Sequence, residues 1–351
     1  MKKLLDRIFI DGLGGMAQGL FATLIIGTII QQIGLLMGGG AGDLIYQIGK
    51  AAAGLTGAGI GVGVARKLEA GHLVIVSSAV VGLVGAFAGK LLAGQLLIDG
   101  NLVLAGPGEP LGAFIAAYLA IEIGILISGK TKLDIILTPL VCIGTGSAVG
   151  LFVGPPISEF MAWLGSLINW GTEQQPFLMG IIVSVLMGMI LTLPISSAAL
   201  GVILNLSGLA AGAATIGCCC NMIGFAVASW RENKFSGFLA QGIGTSMLQV
   251  PNLVRHPLIW LPAILSSAVL GPIGTMVLHM TNNATGSGMG TAGLVGPLMT
   301  WQVMTQSEAG VIVLGKIILI QFVLPAVVTL LISEFMRKKK WIHQGDMKLE
   351  L

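Results

Sequence analysis

The sequence predicts an all-α polytopic membrane protein with about eight to ten transmembrane helices and two re-entrant hairpins. Apolar residues make up 55% of its 351 positions and charged residues only 9%, whereas roughly a quarter of a soluble domain is charged. Gly contributes 53 residues without the three-residue period of collagen. So few charges cannot cover the surface of a soluble fold of this length. A disordered chain is excluded too, because it would be polar and highly charged.

Nine segments are long and apolar enough to cross a bilayer, since a helix spanning a ~30 Å hydrocarbon core needs about 20 mainly apolar residues. They are approximately 13–37, 44–65, 72–96, 103–128, 134–158, 177–199, 201–229, 257–280 and 310–335. A tenth region, 282–305, is apolar but rich in Gly, Asn, Ser and Thr. Segment 236–254 is typical of a short amphipathic or interfacial element.

Positive charges predict which connections face the cytoplasm, because Lys and Arg accumulate there. Three of the 18 Lys and Arg residues, Lys50, Lys90 and Lys316, fall inside predicted spans. With a cytoplasmic N-terminus and alternating spans, every Lys and Arg of the N-terminus and of the first two connections on that side faces the cytoplasm. These are Lys2, Lys3, Arg7, Arg66, Lys67, Lys130 and Lys132. The intervening connections carry Asp43, Asp99 and Glu173 and no Lys or Arg.

This alternation fails in the middle of the chain, and the failure predicts a re-entrant hairpin. If 201–229 crossed the membrane, Arg231, Lys234 and Arg255 would lie outside. If 201–229 enters and returns to the same side, these cations become cytoplasmic, and so does the basic run 337–340. The result is eight full crossings with both termini cytoplasmic. Nine or ten plain crossings are the alternative.

Both candidate hairpins are small and polar where a lipid-facing helix would be rich in Leu and Val. Irregular backbone at membrane depth occurs only where protein or a wet cavity satisfies it. The hairpin at 282–305 enters from the opposite side to that at 201–229, as in secondary transporters with a central site. Neither 174–230 nor 256–307 contains Asp, Glu, Lys or Arg. A site built there from amides and hydroxyls suits a neutral, polyhydroxylated ligand.

The candidate substrate-binding residues are amides and hydroxyls, which can donate to and accept from sugar hydroxyls. They are Asn205, Ser207, Asn221, Asn282, Asn283, Thr285 and Ser287. For the hairpin residues the alternative role is helix breaking and packing, and Asn221 could instead satisfy a hairpin carbonyl.

No nucleotide-binding loop, nucleophile triad or metal-ligand cluster is visible in the sequence. We therefore expect no catalytic residue, no cofactor, no metal site and no nucleic-acid partner. The consecutive thiols Cys218, Cys219 and Cys220 lack the spacing of a zinc site. They are expected to be reduced, apolar packing residues.

Three blocks of sequence carry a family resemblance: Cys218–Lys234, Gln241–Gln249 with Pro251-Asn252, and Asn282–Thr291. They resemble the PfoR-type membrane proteins, the perfringolysin-regulator-like branch of phosphotransferase-system enzyme IIC. The stretches Leu133–Pro139 and Gly154–Pro156 resemble enzyme IIC more generally. The likeness covers essentially the whole chain.

The resemblance implies a sugar permease of the bacterial inner membrane, commonly a homodimer whose transport domain moves against a scaffold. We assign 1–132 to the scaffold, 133–336 to the transport domain and 337–351 to a basic cytoplasmic tail that contacts membrane lipid. The Gly-Ile-Thr-Glu loop of enzyme IIC, whose Glu contacts the sugar, has no counterpart here. Because the sequence has no soluble phosphocarrier domain, separate enzyme IIB/IIA proteins would have to supply phosphoryl groups, and the chain would not be catalytic alone.

Charged residues are candidates for ion coupling or for contact with a phosphocarrier protein, since ions at membrane depth are functional candidates by default. They are Lys90, Glu122, Arg231 and His256. Snorkelling to water is the alternative for Lys90 and Glu122. Orientation signalling is the alternative for Arg231, and an interfacial anchor for His256.

Two other functions fit the same residues. A membrane sensor would bind a small solute and report to a cytoplasmic regulator through 230–255 or the basic tail. An ion-coupled carrier without phosphorylation would use Lys50, Lys90 or Glu122 for coupling.

Overall fold

The chain is almost entirely helical. The computed structural model describes residues 6–98, 101–104 and 106–349, and within them the non-helical regular structure is one hairpin with two residues in each strand. The predicted all-α fold is therefore confirmed. Lys2, Lys3 and Asp99, used above to predict orientation, lie outside the described residues.

The described residues form two compact units that divide after Met161. The first contains five helices, the hairpin and the start of a sixth helix that continues into the second unit. Its elements are α1 Arg7–Met37, α2 Gly39–Gly54, α3 Thr56–Lys67, α4 His72–Leu92, β1 Leu97–Ile98, β2 Asn101–Leu102, α5 Pro110–Ile127 and α6 Asp134–Thr172.

The second unit contains longer helices separated by short and irregular ones. Its helices are α7 Pro176–Thr192, α8 Ser197–Ile203, α9 Gly208–Ala228, α10 Trp230–Leu239, α11 Val250–Arg255, α12 Pro257–Val277, α13 Ala284–Ser287, α14 Val295–Met304 and α15 Gly310–Lys338. Short π or 3-10 turns lie within α1, α12 and α15, between α10 and α11, and between α13 and α14.

Each predicted apolar segment contains helix, although 177–199 is interrupted at 193–196 and 201–229 at 204–207. Among the described residues, α1, α4, α5, α6, α9, α12 and α15 are each long and apolar enough to span a membrane. The α2–α3 pair, bent by 52° at Leu55, forms one further candidate span, and α7 is a shorter apolar helix. The number of full crossings stays a prediction.

Glycines allow the helices of the first unit to approach closely. Gly57 on α3 faces Gly82 on α4, and a Cβ added to either would meet the carbonyl oxygen of the other. Small residues at such contacts allow membrane helices to pack by backbone approach, since lipid offers no hydrophobic driving force between them. This packing explains part of the high glycine content.

Helix α9 is the centre of the second unit. It packs against α7, α12 and α15, and 17 of its 21 residues are buried. Gly217 lies so close to α7 that an added Cβ would collide with the carbonyl of Ser184. Its small side chains therefore serve close helix packing.

The helix break at 204–207 lies within the predicted hairpin 201–229, and the fold-back to the same side of the membrane stays a prediction. Residues Gly208–Ala228 run without interruption, and the chain is broken only at 204–207, between α8 and α9. The small residues after the break therefore belong to a helix that is surrounded by protein instead of lipid.

Candidate functional site

Two breaks in the helices of the second unit lie next to each other. The first comprises 204–207, and the second comprises 278–283, between α12 and α13. The Asn282 N–H donates to the carbonyl of Gly208 at 3.2 Å, which joins the breaks as an isolated antiparallel bridge. Helix α8 also packs on α13, where the Ser197 hydroxyl donates to the Gly288 carbonyl at 2.7 Å.

Left-handed backbone conformations produce these breaks. Asn205 and Gly208 have φ values of 47° and 57°, and His279 has a φ of 47°. Gly adopts this region without a Cβ clash, and Asn and His are enriched there among the other residues. Non-glycine residues in this conformation cluster at functional sites, where surrounding structure holds them in place.

Asn282 is the buried anchor of the second break, with only 1% of its surface exposed. Its Nδ2 donates to Thr215 Oγ1 at 2.8 Å, to Thr300 Oγ1 at 3.0 Å and to the Gly296 carbonyl at 3.2 Å. Its Oδ1 accepts from the backbone N–H of Asn283 at 2.8 Å. The amide therefore ties the break to α9 and α14, and it supports the site instead of facing a solute.

Gln321, which the sequence analysis missed, extends this network. Its Nε2 donates to Thr300 Oγ1 at 2.8 Å, and it lies within a π-helical turn of α15, Ile318–Val323. Such turns occur frequently at functional sites. Its Oε1 is buried without a partner among the described residues. A lone amide in an otherwise apolar turn was the signal in the sequence.

Several uncharged polar groups close to buried Asn282 remain accessible. Asn205, Ser207 and Thr285 are exposed, and Asn283 is half-buried. Asn283 Oδ1 accepts from the Gly286 N–H at 3.0 Å and so caps α13, while its Nδ2 has only the weak acceptor Met299 Sδ at 3.6 Å. These amides and hydroxyls can donate to and accept from a polyhydroxylated solute.

Ser287 lies beneath this surface. It is fully buried, and its hydroxyl donates to the Ala284 carbonyl at 2.8 Å. The structure thus brings six of the seven predicted substrate-binding residues to the adjoining breaks, but it divides them between exposed groups and buried supports.

Asn221 belongs to a different network. It follows Gly208 by 13 positions on α9, about 20 Å along the helix axis. Its Oδ1 accepts from the indole N–H of Trp260 at 2.9 Å and from Thr192 Oγ1 at 3.1 Å, and its Nδ2 donates to the Gly217 carbonyl at 3.1 Å. This amide joins α7, α9 and α12 in the core.

The site contains no Asp, Glu, Lys or Arg, since 174–230 and 256–307 lack them. His279 was not predicted, although it is exposed within the second break, three positions before Asn282. Its imidazole can also donate or accept a hydrogen bond. A histidine in an uncharged stretch was the available signal.

The charged candidates lie elsewhere. Glu122 forms an ion pair with Arg7, whose Nε is 2.6 Å from Oε1. Lys90 is exposed in the last turn of α4, where the helix dipole favours a cation. In the second unit, Arg231 pairs with Glu334 at 2.9 Å, and His256 Nδ1 lies 3.7 Å from an Asp346 carboxylate oxygen.

Arg337 differs from the exposed lysines that follow it, with which it was grouped as a lipid anchor. Its side chain is 8% exposed and pairs with Glu232, itself 3% exposed, at 2.9 Å. It also donates to the Ala228 carbonyl at 3.1 Å, at the C-terminus of α9. This carbonyl would otherwise lack a helical partner, so Arg337 closes a helix end. Lys338, Lys339, Lys340 and Trp341 remain exposed.

The C-terminal segment 341–349 is docked on the protein. Ile342 and Met347 are buried in a cluster with residues of α9, α11, α12 and α15. The Met347 carbonyl accepts from Asn233 Nδ2 at 2.8 Å and from Gln249 Nε2 at 3.0 Å. The Lys348 carbonyl accepts from Asn252 Nδ2 at 2.9 Å. Side-chain amides thus bind the backbone of this segment.

Hydrogen bonds and one peptide link connect the docked segment to Thr291, which follows α13. Gln249 Nε2 donates to Gln241 Oε1 at 2.8 Å. Gln241 precedes Gly242, whose carbonyl accepts from the Thr291 hydroxyl. Thr291 ends the Asn282–Thr291 block.

Long apolar helices, together with helix breaks that carry accessible uncharged groups, are typical of a polytopic membrane protein. A family model described as "Phosphotransferase system, EIIC" matches residues 10–349. The chain belongs to this family, which confirms the predicted enzyme IIC relationship. No individual curated protein matches the chain.

Proposed function

We propose that this protein is a sugar permease of the phosphotransferase-system enzyme IIC type, from the PfoR-type branch. The observation that carries the proposal is the junction of two helix breaks, where uncharged hydrogen-bonding groups are accessible. Enzyme IIC membership supports a phosphotransferase-system permease, and the absence of ionic side chains from the site favours a neutral polar solute.

In this proposal Asn205, Ser207, Asn283 and Thr285 contact the solute. Buried Asn282 and Ser287 hold the two breaks in register, and His279 is an additional contact. Polyhydroxylated ligands match such groups because each hydroxyl is both donor and acceptor. Asn221 supports the site from the core.

The proposed mechanism is alternating access, with the transport domain 133–336 moving against the scaffold 1–132 in a homodimer of the bacterial inner membrane. The proposed boundary immediately precedes α6, which starts at Asp134. Both termini are cytoplasmic in this proposal, and separate enzyme IIB/IIA proteins supply phosphoryl groups. Alternating access around a site near the membrane midplane is the general scheme for broken-helix transporters.

Uptake by the reconstituted protein tests the site. Asn283→Ser keeps an oxygen able to cap α13 but removes the amide donors, whereas Asn283→Ala removes both. We expect both variants to weaken sugar uptake, and only the Ala variant to lose stability as well. Exposed Asn169 on α6 provides a matched amide control, Asn169→Ala. Normal uptake by Asn283→Ser would remove Asn283 from the site.

Cysteine labelling tests the orientation without removing the native thiols, because all four are buried. Gln175→Cys and Ser236→Cys place single reactive groups at exposed positions. We expect an impermeant maleimide to label position 175 in intact cells and position 236 only after permeabilisation. Labelling of position 236 in intact cells would contradict the proposed orientation.

A further inference from the structure

A groove in the second unit lies beside the C-terminal end of α9 and the last part of α15, away from the helix breaks. Its volume is about 500 Å³, which is within the ~300–1,000 Å³ of typical small-ligand sites. The lining residues are Val227, Ala228, Trp230, Arg231, Leu330 and Glu334.

The groove combines an apolar wall with one charge of each sign. Arg231 Nη2 donates to Glu334 Oε2 at 2.9 Å, and these side chains are 60% and 31% exposed. An ion pair this exposed contributes little to folding stability. The contact uses one of the five N–H groups of the guanidinium, so Arg231 retains donors for a ligand.

The position of the groove matches the boundary between lipid tails and water. Ala228 ends the candidate span α9, and Glu334 lies one turn before the end of the candidate span α15 at Lys338. Val227 and Leu330 lie on the apolar side of the charged pair, and exposed Trp230 lies beside it. Tryptophan is enriched at this depth because its ring is apolar and its N–H is polar.

We propose that this groove binds a zwitterionic phospholipid with a primary ammonium in its headgroup, the phosphoethanolamine class. The lipid phosphate accepts hydrogen bonds from Arg231, for which guanidinium geometry is well suited. The ammonium donates to Glu334, and an acyl chain packs on Val227 and Leu330. The four charges then alternate in sign around the headgroup.

The same geometry disfavours the other common headgroups. An anionic lipid without an amine brings its phosphate near the Glu334 carboxylate with no compensating cation. A choline headgroup carries positive charge but has no N–H to donate to the carboxylate. Selectivity therefore depends on Glu334, whereas affinity for any phosphate headgroup depends on Arg231. This site is independent of the transported solute.

Thermal unfolding of the delipidated full-length protein in detergent tests the proposal, because a ligand that binds the folded state raises the apparent Tm. The probes are phosphatidylethanolamine, its N-methyl and N,N-dimethyl derivatives, phosphatidylcholine and phosphatidylglycerol with identical acyl chains. We expect phosphatidylethanolamine to raise Tm by several degrees and each added methyl group to reduce the shift. Phosphatidylglycerol should give a smaller shift.

Variants assign the two charges. Glu334→Gln should abolish the preference for phosphatidylethanolamine over phosphatidylcholine, and Arg231→Gln should reduce the shift for every lipid. Lys338→Gln changes an exposed cation at the same helix end and should leave the preference intact. Equal shifts for phosphatidylethanolamine and phosphatidylcholine in the unaltered protein would overturn the proposal. So would an unchanged preference in Glu334→Gln.

A direct binding measurement keeps the proposal testable if a variant loses stability. Native mass spectrometry should retain phosphatidylethanolamine on the unaltered protein and on Lys338→Gln, and lose it from Arg231→Gln. If Arg231→Gln instead weakened binding of a phosphocarrier protein in lipid-free detergent while lipid retention stayed unchanged, the groove would be a protein-docking site and the lipid proposal would be wrong.

Discussion

The two ends of α9 are constructed differently. Its N-terminal end, at Gly208, adjoins exposed Ser207 and contains no charged residue, and no side chain caps it. Its C-terminal end, at Ala228, is closed by Arg337 and Glu232 and covered by the docked segment 341–349. One helix thus connects an open end, whose polar groups are accessible, to a sealed end, whose last carbonyl is bonded by buried Arg337.

This difference indicates how the second unit divides its tasks. The sealed end satisfies a helix carbonyl with a charged donor, which contributes stability. The open end leaves hydrogen-bonding groups accessible, which is what solute binding requires. Variants at the sealed end should therefore change the free energy of unfolding most, and variants at the open end should change uptake most.

The largest expected effect is at the buried ion pair. Arg337→Ala leaves the Glu232 carboxylate buried without its partner, a change that costs about 3–5 kcal/mol. Denaturant unfolding in detergent measures the loss. Lys338→Ala, at the exposed neighbouring position, should change stability by less than about 0.5 kcal/mol. Equal effects from the two variants would show that the end of α9 is not sealed by Arg337.

The docked C-terminal segment should contribute less. Met347→Ala removes a fully buried side chain, and we expect a loss of about 2 kcal/mol, the low end for such truncations, because the segment can undock. Protease cleavage after residue 340 should become faster in parallel. Gln344→Ala, at an exposed position of the segment, serves as the control and should match the unaltered protein in both measurements.

At the open end, the buried anchor Asn282 should affect both stability and uptake. Asn282→Ala removes the donor to Thr215 Oγ1, and a buried unsatisfied group costs about 1–3 kcal/mol. Thr300 keeps its bond from Gln321, and the Gly296 carbonyl keeps its bond from Thr300. Thermal unfolding and sugar uptake measure the two effects. A variant that kept full stability but lost uptake would place Asn282 among the solute contacts instead.

The smallest stability effect is expected at Asn205. Asn205→Gly removes the amide but tolerates the observed φ of 47°, so unfolding should change by less than about 0.5 kcal/mol. If the amide forms one hydrogen bond to the solute, uptake affinity should fall about 2- to 10-fold. Asn205→Ala would add backbone strain and is a less informative comparison. Unchanged affinity in Asn205→Gly would exclude Asn205 from the site.

The sequence predicted the apolar helices well because hydropathy is a local property of consecutive residues. It did not locate the turn within 201–229, which the structure has at 204–207, because Gly and Ala have two structural roles at membrane depth. They break a helix where the backbone turns, and they permit close packing where a helix is enclosed, as Gly217 does on α9. Only the neighbours of a segment distinguish these roles, and the sequence does not show them.

The adjacent residues Asn282 and Asn283 also lie in different environments. Asn282 is buried in four hydrogen bonds, while Asn283 is half-buried with its amide donors largely free. The sequence predicted an uncharged hydrogen-bonding site from both residues without separating them. Their separation depends on Thr215 and Thr300, which lie on other helices.

The sequence alone determined that the solvent is a membrane and where the apolar helices lie. It also determined the uncharged character of the site and the family relationship. Each follows from composition, from consecutive residues or from linear motifs. Only the tertiary structure decided that Gly208 adjoins Asn282, that Gln321 supports the same network and that Arg337 closes α9. These partnerships join residues far apart in the chain, and hydrogen bonds depend on distances and angles that packing alone sets.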